Sequence, residues 1–179
     1  MRNFNLANIL TGVRIALAPL AVRAILIGRF DLALAFFFVA AATDGLDGLA
    51  ARRLHLETRL GAYLDPIADK LLLSLSYLAL GIRGAIPWWL VALVFGRDVL
   101  ILLMAGAALL LTVHRDFPPS IWGKISTAFQ VLAALAVLAN GVAWGPHFPL
   151  RLFFWAAAAA TAVSGAGYVW RGVRTVREH

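Results

Sequence analysis

The sequence predicts an all-α integral membrane protein with six transmembrane helices, forming one domain over residues 1–179. Three observations lead there. Of 179 residues, 62% are hydrophobic and only 14% charged, whereas a soluble domain is nearer half apolar and a quarter charged. Apolar stretches recur at the length of roughly 20 residues that a helix needs to cross the hydrocarbon. Turn-forming breaks rich in Gly and Pro separate most of them. The absence of cysteine removes disulfides and thiolate metal sites. The formal net charge of +7 sits mainly at segment ends, which suits anionic headgroups better than nucleic acid.

The six expected spans run over about 6–28, 31–52, 59–82, 85–112, 120–143 and 148–171. The breaks include "GRFD" (28–31), "GIRGAIP" (81–87), "HRDFPPS" (114–120) and "GPHFP" (145–149). No β-barrel alternation is present, and a run such as "WAAAAATAV" favours helix. The first apolar stretch carries Arg14 and Arg23 and lacks a small-residue cleavage site, so no cleavable signal peptide is expected. With six spans both termini share one side. That side collects Arg2, Arg52, Arg53, Arg59, Arg115, Lys124, Arg171, Arg174 and Arg177, against Arg29, Arg83 and Arg151 on the other. The imbalance places the termini in the cytoplasm. Trp88, Trp89, Trp122 and Trp170 fall near span ends as interfacial residues, and the arginines of "RGVRTVREH" form a cytoplasmic anchor to anionic lipid.

The chemistry concentrates in "TDGLDGLAARRLHLETRLGAYLDPIADK", Thr43 to Lys70. Asp44 and Asp47 are three residues apart, so they share a helix face. Gly61, Asp65 and Asp69 follow at i, i+4 and i+8 on the next span, forming one stripe. Two antiparallel neighbours can aim four carboxylates at one volume. Four such charges repel unless a cation joins them. An all-oxygen donor set suits a hard ion such as Mg²⁺, Mn²⁺ or Ca²⁺. Ion pairing with Arg14, Arg52, Lys70 or Arg97 competes for any single carboxylate. A proton or ion pathway is a further use of membrane aspartates. Gly48 and Gly61 permit close approach of a ligand or simply of another helix. Pro66 lacks an N–H and is expected to bend the third span or leave the Ala62 carbonyl unpaired. His55 and Glu57 read as solvated loop residues.

The pattern Asp44-x2-Asp47-Gly48-x2-Ala51-Arg52-x8-Gly61-x3-Asp65-x3-Asp69 resembles the signature of the CDP-alcohol phosphatidyltransferase family. "NLANILTGVRIALAP", with Asn8, Thr11, Arg14 and Pro19, looks like that family's first span. "GKISTAFQ" (123–130) is similar to a segment of bacterial members with glycerol-type acceptors. The likeness covers roughly residues 3–130, and the last span reads as generic.

The resemblance implies a six-helix, homodimeric enzyme of the bacterial inner membrane with its active site on the cytoplasmic side. Its donor would be CDP-diacylglycerol, its cofactor Mg²⁺ or Mn²⁺. By the same likeness Asp44, Asp47, Asp65 and Asp69 would ligate metal, Asp69 would also be the general base, and Gly48, Ala51, Arg52 and Gly61 would line the CDP site. An acceptor hydroxyl would attack the lipid-side phosphorus and CMP would leave. Arg97 and Lys124 are the candidate acceptor-binding cations. Phosphatidylglycerophosphate synthases commonly show Ala-Arg-Glu where this chain has Gly96-Arg97-Asp98, with a further arginine about two turns on. Here "VLILLMAGAALL" follows. That departure leans the reading toward phosphatidylglycerol as acceptor (cardiolipin synthesis), with glycerol 3-phosphate the alternative. A cation transporter or a non-catalytic scaffold are the readings from other classes.

Overall fold

The computed structural model describes residues 6–40, 59–110 and 121–177. Among these residues there are six helical segments and no strand. They are α1 (Leu6–Leu26), α2 (Phe30–Ala40), α3 (Arg59–Ile82), α4 (Trp88–Leu110), α5 (Ile121–Asn140) and α6 (Leu150–Arg177). The order matches the six expected segments. The bounds differ where local chemistry decides. Helix α4 starts after Pro87, whose carbonyl accepts from the Leu90 and Val91 N–H groups. Helix α6 runs on to Arg177, past the expected end near 171, because "RGVRTV" contains no strong breaker. Pro66 does not interrupt α3, which is continuous from Arg59 to Ile82.

By length and composition, α5 (Ile121–Asn140) and the part of α6 from Leu150 to Trp170 are apolar enough to cross a membrane. Only 28% of the α6 window is buried, whereas a soluble core helix would be mostly covered. Ile15–Leu26 of α1, Phe30–Ala40 and Lys70–Ile82 of α3 are further apolar helical stretches.

The chain divides into two compact units. The first comprises residues 1–86 and 137–148. Here α1 packs against α3. Leu17, Ala18, Ala21, Ala24 and Ile25 are buried on α1, and Leu72, Leu73, Tyr77, Ala79 and Leu80 on α3. The alanines let backbones approach closely, which is how apolar helices gain contact when lipid competes for their surface. Phe38, Ile27 and Ile82 remain exposed.

Two glycines end helices of this unit. After α1, the Gly28 N–H donates to the Ile25 carbonyl and the Arg29 N–H to that of Ala24, with Gly28 at φ +80°. After α3, Gly84 (φ +69°) and Ala85 donate to Gly81 and Leu80 in the same pattern. Both are Schellman closures, which need a left-handed residue. The end of α5 is tied differently. Asn140 donates to the Phe148 carbonyl at 2.9 Å and accepts from its N–H at 2.7 Å, closing the loop between them.

The second unit comprises residues 87–136 and 149–179. Helix α4 packs against α6. Trp89 meets Trp155 at a ring separation of 5.3 Å, and Arg97 bonds Ser164. These pairs are 66 (155 − 89) and 67 residues apart, so α4 and α6 run parallel. Contacts of α5 with α6 run the other way: Gly123 lies by Tyr168, and Ser126 and Gln130 by Thr161. Buried residues of this unit include Leu90, Val91, Val94, Ala133, Ala134, Ala157 and Ala158, while Val99, Leu102, Leu103, Leu152 and Trp155 are exposed. An exposed apolar surface of this kind is what lipid covers.

The turn geometry gives a stability prediction. Gly28→Ala and Gly84→Ala should each cost about 1 kcal/mol, since an L side chain is strained at these φ angles. A Cβ at Gly28 would also stand 3.0 Å from Arg83 Nη2, but that flexible tip can swing aside. Unfolding titrations in mixed micelles measure this, and unchanged midpoints would count against left-handed closures.

Candidate active site

The predicted site residues fall into three groups. Asp44, Asp47, Gly48, Ala51 and Arg52 lie outside the described residues. Gly61, Asp65 and Asp69 lie in the first three turns of α3, and the description there covers the backbone alone. The helix sets them four residues apart, so Gly61 and Asp69 are separated by about 12 Å along the axis. Arg97 lies on α4 and Lys124 on α5, both with described side chains.

Arg97 is held from several sides. Its Nη1 donates to Asp98 Oδ1 at 2.9 Å, and the side chains of this ion pair are only 10% and 13% exposed. Its Nη2 donates to Ser164 Oγ on α6 at 3.0 Å. The guanidinium carbon sits 5.8 Å from the centre of the Tyr168 ring, within cation–π range. The Nε group is buried and has no acceptor among the described residues. Lys124 is exposed, next in sequence to the buried Gly123. At Gly123 a Cβ would stand 3.2 Å from Arg97 Nη2 and 3.3 Å from Tyr168 Oη.

Below this cluster α5 and α6 share a buried polar seam. Gln130 Nε2 donates to Thr161 Oγ1 at 2.9 Å and to Ser126 Oγ at 3.2 Å. Thr161 Oγ1 gives its one proton to the Ala157 carbonyl at 2.7 Å. The Ser126 hydroxyl must therefore be the donor in its 3.2 Å contact with Thr161. Thr127 returns its hydroxyl to the Gly123 carbonyl. In a dry setting such groups need internal partners, and here they have them. Ser126, Thr127 and Gln130 belong to "GKISTAFQ", and the bonds of Ser126 and Gln130 to Thr161 make that segment in part a helix-to-helix contact.

Ser164, Tyr168 and Thr161 were not expected from sequence. The last span reads as generic because alanines dominate it. The available signal was spacing: Thr161, Ser164 and Tyr168 stand at i, i+3 and i+7, one polar stripe on an apolar helix.

Comparison with known proteins decides the family. The model of the CDP-alcohol phosphatidyltransferase family matches residues 4–165. The chain belongs to that family. The match continues well past residue 130 into α6, so the last span is less generic than its composition suggests. A probable phosphatidylglycerophosphate synthase of Mycobacterium tuberculosis (strain H37Rv) is 31% identical over 96% of this chain and 83% of its own length. The CDP-diacylglycerol–glycerol-3-phosphate 3-phosphatidyltransferase of Bacillus subtilis (strain 168) is 33% identical over 96% and 98%. The CMP-forming cardiolipin synthase of Rattus norvegicus is 31% identical over 97% of this chain and 63% of its own length. The family is one of membrane-bound enzymes that use CDP-diacylglycerol, a divalent metal and a glycerol-type acceptor.

The seam yields an ordered prediction. Thr161→Val removes the acceptor that Gln130 and Ser126 share and should cost about 1–2 kcal/mol. Gln130→Leu leaves the Ser126–Thr161 bond in place and should cost less, about 0.6 kcal/mol. Detergent unfolding of the two variants gives the order, and a larger loss for Gln130→Leu would contradict this account of the seam.

Proposed function

We propose that the protein transfers a phosphatidyl group from CDP-diacylglycerol to phosphatidylglycerol, releasing CMP and forming cardiolipin. The observation behind this choice of acceptor is the Arg97–Asp98 pair. The best acceptor-side guanidinium already carries a carboxylate at 2.9 Å, and residues 99–110 supply no second arginine. Lys124 adds one exposed cation. A site with so little net positive charge matches a phosphodiester monoanion better than a phosphomonoester dianion. Glycerol 3-phosphate is the second reading, favoured by the names of the Mycobacterium and Bacillus relatives.

In this reading the motif serves the donor. Asp44, Asp47, Asp65 and Asp69 are the residues that would hold Mg²⁺ or Mn²⁺, since their donor set is all carboxylate oxygen. The backbone of α3 sets Asp65 and Asp69 one turn apart, as a shared ligand requires. The metal, when bound, offsets the negative charge that builds on the transferring phosphoryl group and on CMP. Arg52 offers forked N–H donors to the diphosphate. Gly48, Ala51 and Gly61 keep the helix surfaces low enough for CDP to approach. Asp69 takes the proton of the acceptor hydroxyl, a weak nucleophile at neutral pH. The attack forms a new P–O bond on the diacylglycerol-side phosphorus and breaks the bond to the CMP oxygen.

The bilayer setting follows from the substrates. Both lipids keep their acyl chains in the membrane while the nucleotide stays in water. We place the chain in the bacterial inner membrane as a homodimer of six-span protomers, with termini and active site cytoplasmic. The parallel run of α4 with α6, and the antiparallel run of α5, supports that alternation. A transporter built on the same aspartates has no evident need for Arg52 or Gly61.

The test offers purified protein labelled CDP-diacylglycerol with phosphatidylglycerol, glycerol 3-phosphate, inositol phosphate or serine in parallel. Thin-layer separation should show cardiolipin as the main product. Phosphatidylglycerophosphate instead would reassign the acceptor. Chelation should abolish turnover, and Mg²⁺ or Mn²⁺ should restore it; turnover that survives chelation would remove the metal from the account.

A further inference from the structure

We propose that Ser164 and Tyr168 of α6, with Gly123 of α5, are positioning residues that set acceptor affinity by holding Arg97. The inference rests on the reading of Arg97 as the acceptor's anion site.

Asp98 alone could neutralise Arg97, since the two are adjacent and bonded at 2.9 Å. Yet two further helices converge on the same guanidinium. Ser164, fully buried, takes Nη2, and the Tyr168 ring lies along it. Gly123 leaves the space that the guanidinium and the tyrosine hydroxyl fill. A guanidinium is planar, so fixing Nη1 and Nη2 fixes the direction of Nε as well. That Nε–H is buried and has no acceptor among the described residues. Nη1 and Nη2 each carry a second N–H beyond the bonds to Asp98 and Ser164, and these forked donors are the ones a phosphate oxygen would take. Preorganisation of this kind lowers the ordering cost of binding. The seam beneath, with Thr161 one turn before Ser164, fixes the register of α6 against α5 and so keeps Gly123 beside Tyr168.

The experiment is steady-state kinetics of the purified, reconstituted enzyme with phosphatidylglycerol and glycerol 3-phosphate as acceptors. Ser164→Ala should raise the KM of the accepted alcohol about tenfold, the size of one charge-assisted hydrogen bond. Tyr168→Leu should raise it about fivefold, while Tyr168→Phe keeps the ring and stays near the parent. Gly123→Ala should raise it too, because the new Cβ crowds Nη2. Gly165→Ala is the control: its Cβ would stand an ordinary 3.9 Å from Arg97 Cγ. In every case the KM for CDP-diacylglycerol and kcat at saturating acceptor should hold. A fall in kcat with acceptor KM unchanged, or a parallel rise in both KM values, would overturn the positioning role. Should Tyr168→Leu fail to accumulate, Ser164→Ala, which removes one oxygen, carries the same decision. Arg97→Ala separates the two levels. If it leaves acceptor KM unchanged, the reading of Arg97 falls and the inference with it. If it raises KM while Ser164→Ala and Tyr168→Leu do not, only the positioning role falls.

Discussion

A polar group in hydrocarbon has no water to turn to, so each one must find a partner inside the protein or a ligand. That constraint shapes the second unit. Gln130, Ser126 and Thr161 close a hydrogen-bonded set among themselves and the Ala157 carbonyl. Arg97 spends two nitrogens on Asp98 and Ser164. The same constraint acts on the aspartates of residues 44–69, which carry too much negative charge to satisfy one another. On the proposed reading their partner is a divalent cation with a diphosphate.

The two solutions differ in what they achieve. A seam closed by neutral hydroxyls and an amide needs no ligand, and it locks α5 to α6. The Arg97 cluster is nearly closed, with Nε buried and lacking an acceptor among the described residues. Between them they show how helices of mostly apolar sequence acquire a fixed register. Apolar contact alone would leave α6, with its alanine run, free to slide against its neighbours. The Trp89–Trp155 pair adds a second point that fixes α4 beside α6.

Much of this could be read from the residues themselves. Apolar segment length and Gly-Pro breaks gave the order of helices, because lipid imposes a minimum span. The aspartate motif gave the family, because its residues stand at fixed spacings along the chain. The ends of α4 and α6 were harder, since they depend on a proline carbonyl at Pro87 and on the lack of any breaker after Trp170. The partners of Arg97 were hardest. Ser164 and Tyr168 are common residue types, and they matter only because α6 runs parallel to α4, a tertiary fact that no local pattern encodes. Gly123 likewise looks like an ordinary small membrane residue until the space above it proves to hold a guanidinium.

The proposed function makes the four aspartates the centre of the chemistry. On that reading acceptor choice rests on residues of α4 to α6, whereas donor activation rests first on the carboxylates and the metal they would hold. The most direct test is therefore CMP release from CDP-diacylglycerol by a variant with Asp44, Asp47, Asp65 and Asp69 all changed to Asn, purified and reconstituted beside the parent protein. The substitutions keep side-chain size while removing charge, so a folded, correctly inserted variant should release no CMP at any concentration of Mg²⁺ or Mn²⁺. Release at the parent rate would contradict the account.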